Sequence, residues 1–280
     1  MQLTIVDTIG ALQETLVGVA KQGKRVALVP TMGALHEGHM TLMREAKKHA
    51  DYVVASIFVN PSQFGPGEDF NQYPRRLESD LKQMEAAGVA LAYTPSVADM
   101  YPLGFTTKVS AGEMGRILCG QFRPGHFDGV ATVVTKLLLR VLPHVALFGE
   151  KDYQQLCLIR QVAYDLDIPI AIIGVPTVRE ADGLAMSSRN AYLSDAERKL
   201  APKLYETLAE TAKQISDGAE VATALAVGGT KLTSAGFTVD YLELRQSYTL
   251  MPLLENEKPA RLLAAVRLGS TRLIDNIALE

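Results

Sequence analysis

Five short runs in the first two-thirds of the chain are apolar at nearly every position: Arg25–Thr31, Tyr52–Asn60, Val89–Pro95, Val145–Gly149 and Ile168–Pro176. A strand of this composition has both faces buried, as in a parallel sheet covered by helices. Helical patterns fill the intervals, at about 39–50, 74–87, 127–142 and 152–166. Strand alternating with helix predicts right-handed βαβ units and an α/β class, a doubly wound, Rossmann-like parallel sheet. Ligands of such sheets bind beyond the carboxyl ends of the strands. That rule singles out the segments after Val29, Val59, Phe148 and Val175.

The last hundred residues change character. Ser194-Asp-Ala-Glu197 is a capping-box pattern and predicts a long helix reaching towards Ser216. An alanine-rich helical stretch follows, with Gly228-Gly229 as a weak point. Thr238–Arg245, Ala260–Arg267 and Arg272–Leu279 then read as a small antiparallel sheet. A chain of 280 residues has room for two domains. The expected division is a domain of residues 1–182 and a smaller α+β domain of residues 183–280, meeting near Asp182-Gly183.

Composition removes several classes of function. Hydrophobic residues at 48% and charged residues at 21% are ordinary for a globular protein and argue against a disordered chain. A net charge of −3 provides no basic field, so no nucleic-acid partner is expected. Cys119 and Cys157 are far apart and form no CxxC, which argues against a disulfide scaffold or a cysteine-built zinc site and for a cytoplasmic location. The opening MQLTIVDTIGALQETL holds Asp7 and Glu14 and no basic leader, so no secretion signal is expected. The most apolar stretch, Val130–Phe148, is interrupted by Lys136, Arg140, Pro143 and His144 and is too broken to cross a bilayer. A soluble protein is expected.

The first chemistry-bearing motif is Met32-Gly33-Ala34-Leu35-His36-Glu37-Gly38-His39, directly after the first run and opening a helix. Gly33 and Gly38 keep bulk away from the backbone at a strand-to-helix turn. His36 and His39 are three apart and project from one side of the first helical turn. A helix N-terminus already offers N–H donors and partial positive charge, and two imidazoles there suit the charge that develops on a phosphate under attack. Two other readings stay open. A histidine near a helix start is often a cap, and HxxH can ligate a metal, although the spacing is not HExxH and no third ligand lies nearby.

Two further segments gain meaning beside it. Gly149-Glu150-Lys151-Asp152 follows a later strand, where a lysine meets phosphate and an acid hydrogen-bonds a sugar or fixes the lysine; alone it is an ordinary helix start. Met186-Ser187-Ser188-Arg189 puts two hydroxyls and a guanidinium in a row as donors for a polyphosphate; alone it is a polar loop between domains.

HxGH followed by a KMSKS-like MSSRN resembles the nucleotidyl-transferring superfamily that includes class I aminoacyl-tRNA synthetases. More narrowly, five segments together resemble the pantothenate synthetase family, the AMP-forming pantoate–β-alanine ligases. They are VPTMGALHEGH (29–39), FVNPSQF (58–64), RPGHFDGV (123–130), FGEKDYQQL (148–156) and PTVREADGLAMSSRN (176–190). The likeness spans about 25–195.

The resemblance implies condensation of (R)-pantoate with β-alanine, driven by ATP cleavage to AMP and pyrophosphate through a pantoyl-adenylate. It lays Met32–His39 along ATP with His39 as proton donor, while His36 and His39 stabilise the α-phosphate under attack. Gly149–Asp152 would hold the nucleotide, Lys151 on phosphate and Asp152 towards the ribose. Val178 would offer backbone contacts to adenine, and Met186–Arg189 would close over pyrophosphate. Gln63 and Gln155 map to pantoate-binding glutamines, Gln63 also near β-alanine; Asn60, Arg123 and His126 sit on motifs lining the second-substrate region. Mg2+ is expected with ATP, and Asp80 is a candidate contact for it; the other reading is a solvated acid on an amphipathic helix. Residues 183–280 are expected to act as a lid that keeps water from the adenylate. A homodimer is expected by the same likeness.

One departure is that some members carry an acid where this chain has Cys119, so no carboxylate role transfers there; a thiol nucleophile is not needed for amine attack on an adenylate. The alternatives are another HxGH nucleotidyltransferase with a different acceptor, and a silent nucleotide-binding module. The glutamines of FVNPSQF and FGEKDYQQL argue against the first, and the joint presence of both histidines, Lys151 and Arg189 against the second.

Overall fold

The computed structural model describes residues 2–253 and 258–279. The chain forms two compact units, one of residues 1–150 and 158–176 and the other of residues 151–157 and 177–280. In chain order the first elements are β1 (Thr4–Val6), α1 (Ile9–Lys21), β2 (Val26–Thr31), α2 (Glu37–His49), β3 (Tyr52–Ile57), α3 (Leu77–Ala87) and β4 (Leu91–Tyr93). The short helices α4 (Val97–Met100) and α5 (Cys119–Phe122) follow, then α6 (His126–Val141), β5 (Val145–Gly149), α7 (Tyr153–Asp165) and β6 (Ala171–Val175).

The first unit is built on a six-stranded sheet in the order β1-β4-β3-β2-β5-β6, with every pairing parallel. From β2 the chain steps outward through β3 to β4, then returns to lay β5 on the other side of β2. The strand order therefore reverses between β2 and β5, and their carboxyl ends flank the switch point where open α/β sheets bind ligands. Ala27, Val29, Val53, Ala55, Val145 and Leu147 are buried on these strands, against Met40, Met43 and Ala46 of α2. Helix α2 runs from Glu37 in its first turn to Lys47, Lys48 and His49 in its last, matching side-chain charge to the helix dipole.

The predicted strands and helices are present, mostly trimmed at their ends, and the doubly wound class is borne out. The pair β1–α1 was not anticipated from the sequence. Only Val6 of β1 is buried, so its three residues carry little apolar signal.

In the second unit, α8 (Asp195–Leu200), α9 (Lys203–Ser216) and α10 (Val221–Ser234) precede an antiparallel sheet of β7 (Thr238–Gln246), β8 (Ala260–Leu268) and β9 (Thr271–Leu279). The Ser194–Glu197 capping box forms as expected. The single long helix does not: the chain breaks at Ala201-Pro202, because a proline within a helix removes a donor and crowds the preceding turn. Gly228-Gly229 does not interrupt α10 either. A β-carbon on Gly228 would stand 2.6 Å from Thr211 Oγ1 and 2.9 Å from Leu242 Cδ2, so this glycine permits close packing on α9 and β7. Leu204, Leu208, Leu232, Phe237, Leu262, Ala264 and Val266 form the core of this unit. No helix among the described residues is long and apolar enough to cross a membrane.

Candidate active site

The turn from β2 into α2 starts at Thr31, whose hydroxyl donates to Ser56 O (2.7 Å) and accepts from Gly33 N (3.2 Å). Gly33 and Ala34 both take positive φ, at 80° and 50°. A residue with a side chain adopts this region reluctantly, so the turn needs an external hold. Asp80 on α3 supplies it: Oδ2 accepts from Ala34 N and Oδ1 from Leu35 N, both at 2.9 Å. Asp80 is 1% exposed, which corrects the expectation of a solvated acid. Gly33 keeps bulk out of this turn as expected. A β-carbon there would lie 3.0 Å from Asp80 Oδ2 and 3.1 Å from Ile57 Cγ2, so its missing side chain makes room for protein.

His36 is the N-cap of α2, and its Nδ1 accepts from Gly38 N at 3.2 Å. His39 Nδ1 in turn accepts from His36 N at 3.3 Å. A ring nitrogen that accepts a backbone N–H carries no proton, so in this arrangement both neutral imidazoles hold theirs on Nε2. The ring centroids are 4.1 Å apart. Capping engages Nδ1 of each ring, so the capping role does not by itself exclude a catalytic role through Nε2. Glu37, between them, is exposed and pairs with Arg44.

After β3, Asn60–Gln63 forms a tight turn. Asn60, 1% exposed, accepts through Oδ1 from Ser62 N (3.2 Å) and Tyr101 OH (2.7 Å) and donates through Nδ2 to Gln63 Oε1 (3.0 Å) and Gly129 O (3.2 Å). Gln63 Nε2 donates to Met32 Sδ at 3.2 Å, joining this turn to the first motif. Arg123 forks onto Glu68, with Nε to Oε1 at 2.8 Å and Nη2 to Oε2 at 2.6 Å, and its Nη1 lies 3.0 Å from His126 Nε2. His126 Nδ1 is 2.8 Å from Gln63 O. With Arg123 donating to Nε2, the His126 proton sits on Nδ1 and goes to that carbonyl. Burial would raise the Glu68 carboxyl, but the Arg123 guanidinium outweighs it and holds it below the usual carboxylate range. Asn60, Arg123 and His126 thus frame Gln63. Cys119 is buried on α5.

Gly149 ends β5, and Glu150–Asp152 makes one tight turn leading into α7. In the second unit, Lys151 Nζ lies 4.0 Å from Asp152 Oδ2; the lysine is largely covered and the aspartate half exposed. The Lys151 carbonyl accepts from Asn276 Nδ2 at 3.1 Å, Asn276 Oδ1 accepts from Arg261 Nε at 2.7 Å, and the Arg261 guanidinium stacks 3.9 Å over Tyr153. Gln154 is buried and Gln155 half-buried in the first turn of α7.

Met186–Arg189 leaves a small hairpin in which Arg179 bridges Ala185 and Met186 N donates to Val178 O at 3.0 Å. Val178 therefore has its carbonyl engaged. Arg179 anchors the hairpin: it forks onto Asp275 at 2.6 and 2.9 Å, donates to Gly183 O at 3.1 Å and lies 3.6 Å over the Tyr205 ring. Ser187 Oγ accepts from Arg189 N at 3.2 Å, and Asn190 Nδ2 bonds Glu180 Oε1 (2.8 Å) and Ala185 O (3.1 Å). Asp80, Glu68, Arg179, Asp275, Asn276 and Arg261 were not singled out as supports by the sequence, because their partners are distant along the chain.

The sequence profile of the pantoate-beta-alanine ligase family matches residues 4–278. The chain belongs to the pantoate–β-alanine ligase family. The pantothenate synthetase of Paramagnetospirillum magneticum is 54% identical over 277 residues, covering 99% of this chain and 98% of that one. The crystal structure of pantothenate synthetase from Thermus thermophilus superposes with a TM-score of 0.93 at 47% identity, over 98% of both chains. That of pantoate-beta-alanine ligase from Francisella tularensis, complexed with β-γ ATP and β-alanine, has a TM-score of 0.84 at 36% identity, over 99% of this chain and 98% of the other. The resemblance carried by the five motifs is borne out at the level of the pantoate–β-alanine ligase family, across both units rather than over the motif region alone.

Proposed function

We propose that the chain condenses (R)-pantoate with β-alanine at the expense of ATP, with the residues of the two histidine- and glutamine-bearing turns in defined roles. An amine cannot form an amide directly with a free carboxylate, because oxide would have to leave. In the first step a pantoate carboxylate oxygen attacks the α-phosphorus of ATP, the α–β bridge bond breaks, and pyrophosphate departs. In the second the β-alanine ammonium first gives up a proton and its amine attacks the acyl carbon. AMP leaves with the bonding pair of the broken C–O bond, and the nitrogen gives a second proton to solvent to become the amide. Both steps rest on positioning and charge stabilisation.

His36 and His39 present their Nε2–H donors to the α-phosphate, with His39 as the proton donor. Met32, Gly33, Ala34, Leu35, Glu37 and Gly38 lie along the nucleotide. Gly149, Glu150, Lys151 and Asp152 take its phosphate and ribose, the Val178 backbone meets adenine, and Met186, Ser187, Ser188 and Arg189 take pyrophosphate. Gln63 and Gln155 hold pantoate by amides that give and accept together, with Asn60, Arg123 and His126 keeping Gln63 in place. Residues 183–280 act as a lid over the adenylate.

The observation that carries this reading is the pair of Nδ1-engaged imidazoles at the β2–α2 turn of a chain whose family match runs over residues 4–278. The ATP and β-alanine complex of the Francisella relative supports the same substrates. Among the described residues no group of three or more His, Cys, Asp and Glu could hold a metal ion. The oxygens of Asp80 are engaged by backbone, so it is not proposed as a ligand. Mg2+ enters as the counter-ion of ATP. A homodimer and a cytoplasmic location complete the proposal; sedimentation velocity checks the first.

The test is ATP–pyrophosphate exchange with pantoate present and β-alanine absent, followed by addition of β-alanine. Pantoate-dependent exchange and then amide formation support the reading. Exchange with pantoate but no amide product indicates a different second substrate, and no exchange by the folded protein overturns the reading.

A further inference from the structure

Asp80 is a carboxylate 1% exposed whose partners are two backbone N–H groups of one loop, one on each oxygen. A buried carboxylate is costly unless it is hydrogen-bonded, and here each oxygen meets a backbone donor. The loop it holds contains Gly33 and Ala34 at positive φ, followed by Leu35 and then the N-cap His36. Where α2 begins is thus fixed from α3, through the Ala34 and Leu35 amides. The start of α2 in turn fixes both imidazoles, since His36 Nδ1 is held by Gly38 N and His39 Nδ1 by His36 N.

We propose that Asp80 is a positioning residue for adenylate formation: acting through the Ala34 and Leu35 amides, it sets the place and tautomer of His36 and His39. This rests on the assignment of those histidines to the α-phosphate, and its test is arranged to separate the two. The charge is needed because each oxygen must accept. An asparagine offers one acceptor and turns an NH2 towards the other backbone N–H, which removes one bond and opposes two donors. The turn then relaxes from the left-handed pair, and both Nε2–H donors move with it.

The experiment compares the wild-type chain with Asp80→Asn and Asp80→Glu, the latter retaining charge but displacing the oxygens by a methylene. Readouts are the thermal midpoint, kcat and KM for ATP in pyrophosphate exchange, and imidazole 15N shifts of His36 and His39 without substrate. Both variants should lose about 10²-fold in kcat, the scale of a misplaced catalytic group, with KM for ATP moving by about threefold or less. The 15N shifts should pass from pure Nε2–H forms to tautomer mixtures. Ala34→Gly added to Asp80→Asn should recover part of the lost kcat, because glycine enters the left-handed region without strain. If Asp80→Asn does not fold, the Asp80→Glu comparison carries the same prediction. Wild-type 15N shifts in a folded variant overturn the proposal, as does a kcat loss equal to the lost folded fraction. If the wild-type chain shows no exchange, the function assignment fails, while altered 15N shifts still establish the hold of Asp80 on the turn.

Discussion

A β-carbon on Gly38 would stand 2.9 Å from Cε1 of the His36 ring and 3.0 Å from its Nδ1, so the ring lies where an alanine methyl would be. Gly38→Ala should therefore separate stability from activity. Alanine in the first turn of α2 favours the helix by about 0.5–1 kcal/mol, and the ring can swing aside. The expected result is an unchanged or higher thermal midpoint with pyrophosphate exchange reduced about tenfold or more, on the scale of a displaced donor. Wild-type exchange in this variant would mean that the folded-back ring is only a cap.

His39→Ala removes a donor and also the acceptor for His36 N. The fold should survive, because α2 keeps Met40, Met43 and Ala46 in the core. Exchange should fall by about 10²–10³-fold, the usual loss when one donor to a developing oxyanion is deleted. Circular dichroism and exchange measured on the same preparation check both halves.

Arg179 and Asp275 form the ion pair that holds the hairpin ahead of Met186–Arg189, with Asp275 2% exposed at its side chain. Arg179→Met leaves that carboxylate buried without its cation, and urea unfolding should report a loss of about 3–5 kcal/mol. Replacing both residues, by Arg179→Met with Asp275→Leu, should return much of that loss, because a buried pair is worth less than the penalty of breaking it. A double variant as unstable as the single one would show that the Gly183 and Tyr205 contacts of Arg179 dominate.

Tyr93 gives a prediction at alkaline pH. Burial and its 2.8 Å bond to Asp99 push the phenol up to about 12, against the opposing charge of Arg140. The folded chain then keeps a proton that the unfolded chain releases near pH 10, so stability falls as pH rises from about 10 through about 12. Tyr93→Phe has no phenol to ionise. It should be less stable than wild type at pH 8, and thermal midpoints taken between about pH 9 and 11.5 should show the gap closing.

Where apolar runs were dense the sequence was a sufficient guide. Val145–Gly149 reads as a strand with its observed bounds because every residue but the terminal Gly149 is buried. Ser194 and Glu197 announce the start of α8 because a capping box is local in sequence. Thr4–Val6 escapes notice because an edge strand of three residues with one buried side chain has no pattern to detect. At the candidate site, spacing and family likeness single out the proposed histidines and glutamines, but not the residues that support them. Asp80 lies 46 residues from Ala34, Glu68 lies 55 from Arg123, and Arg179 lies 96 from Asp275. In sequence each looks like one more charge on a solvated face. Only the folded chain tells a buried acceptor from a surface acid.

The seven residues 151–157 belong with residues 177–280, although 158–176 return to the first unit. Their ties are specific: Asn276 to the Lys151 carbonyl, Arg261 on Tyr153, and Cys157 Sγ to Ser247 O at 3.4 Å. A gene fragment starting at Thr177 would encode β8 and β9 without the stretch that Arg261 and Asn276 grip. The segments of the two units therefore alternate along the chain, and swapping the carboxyl-terminal part between relatives as a single cassette would import half of a matched set. Chimeras should carry 151–157 and 177–280 together.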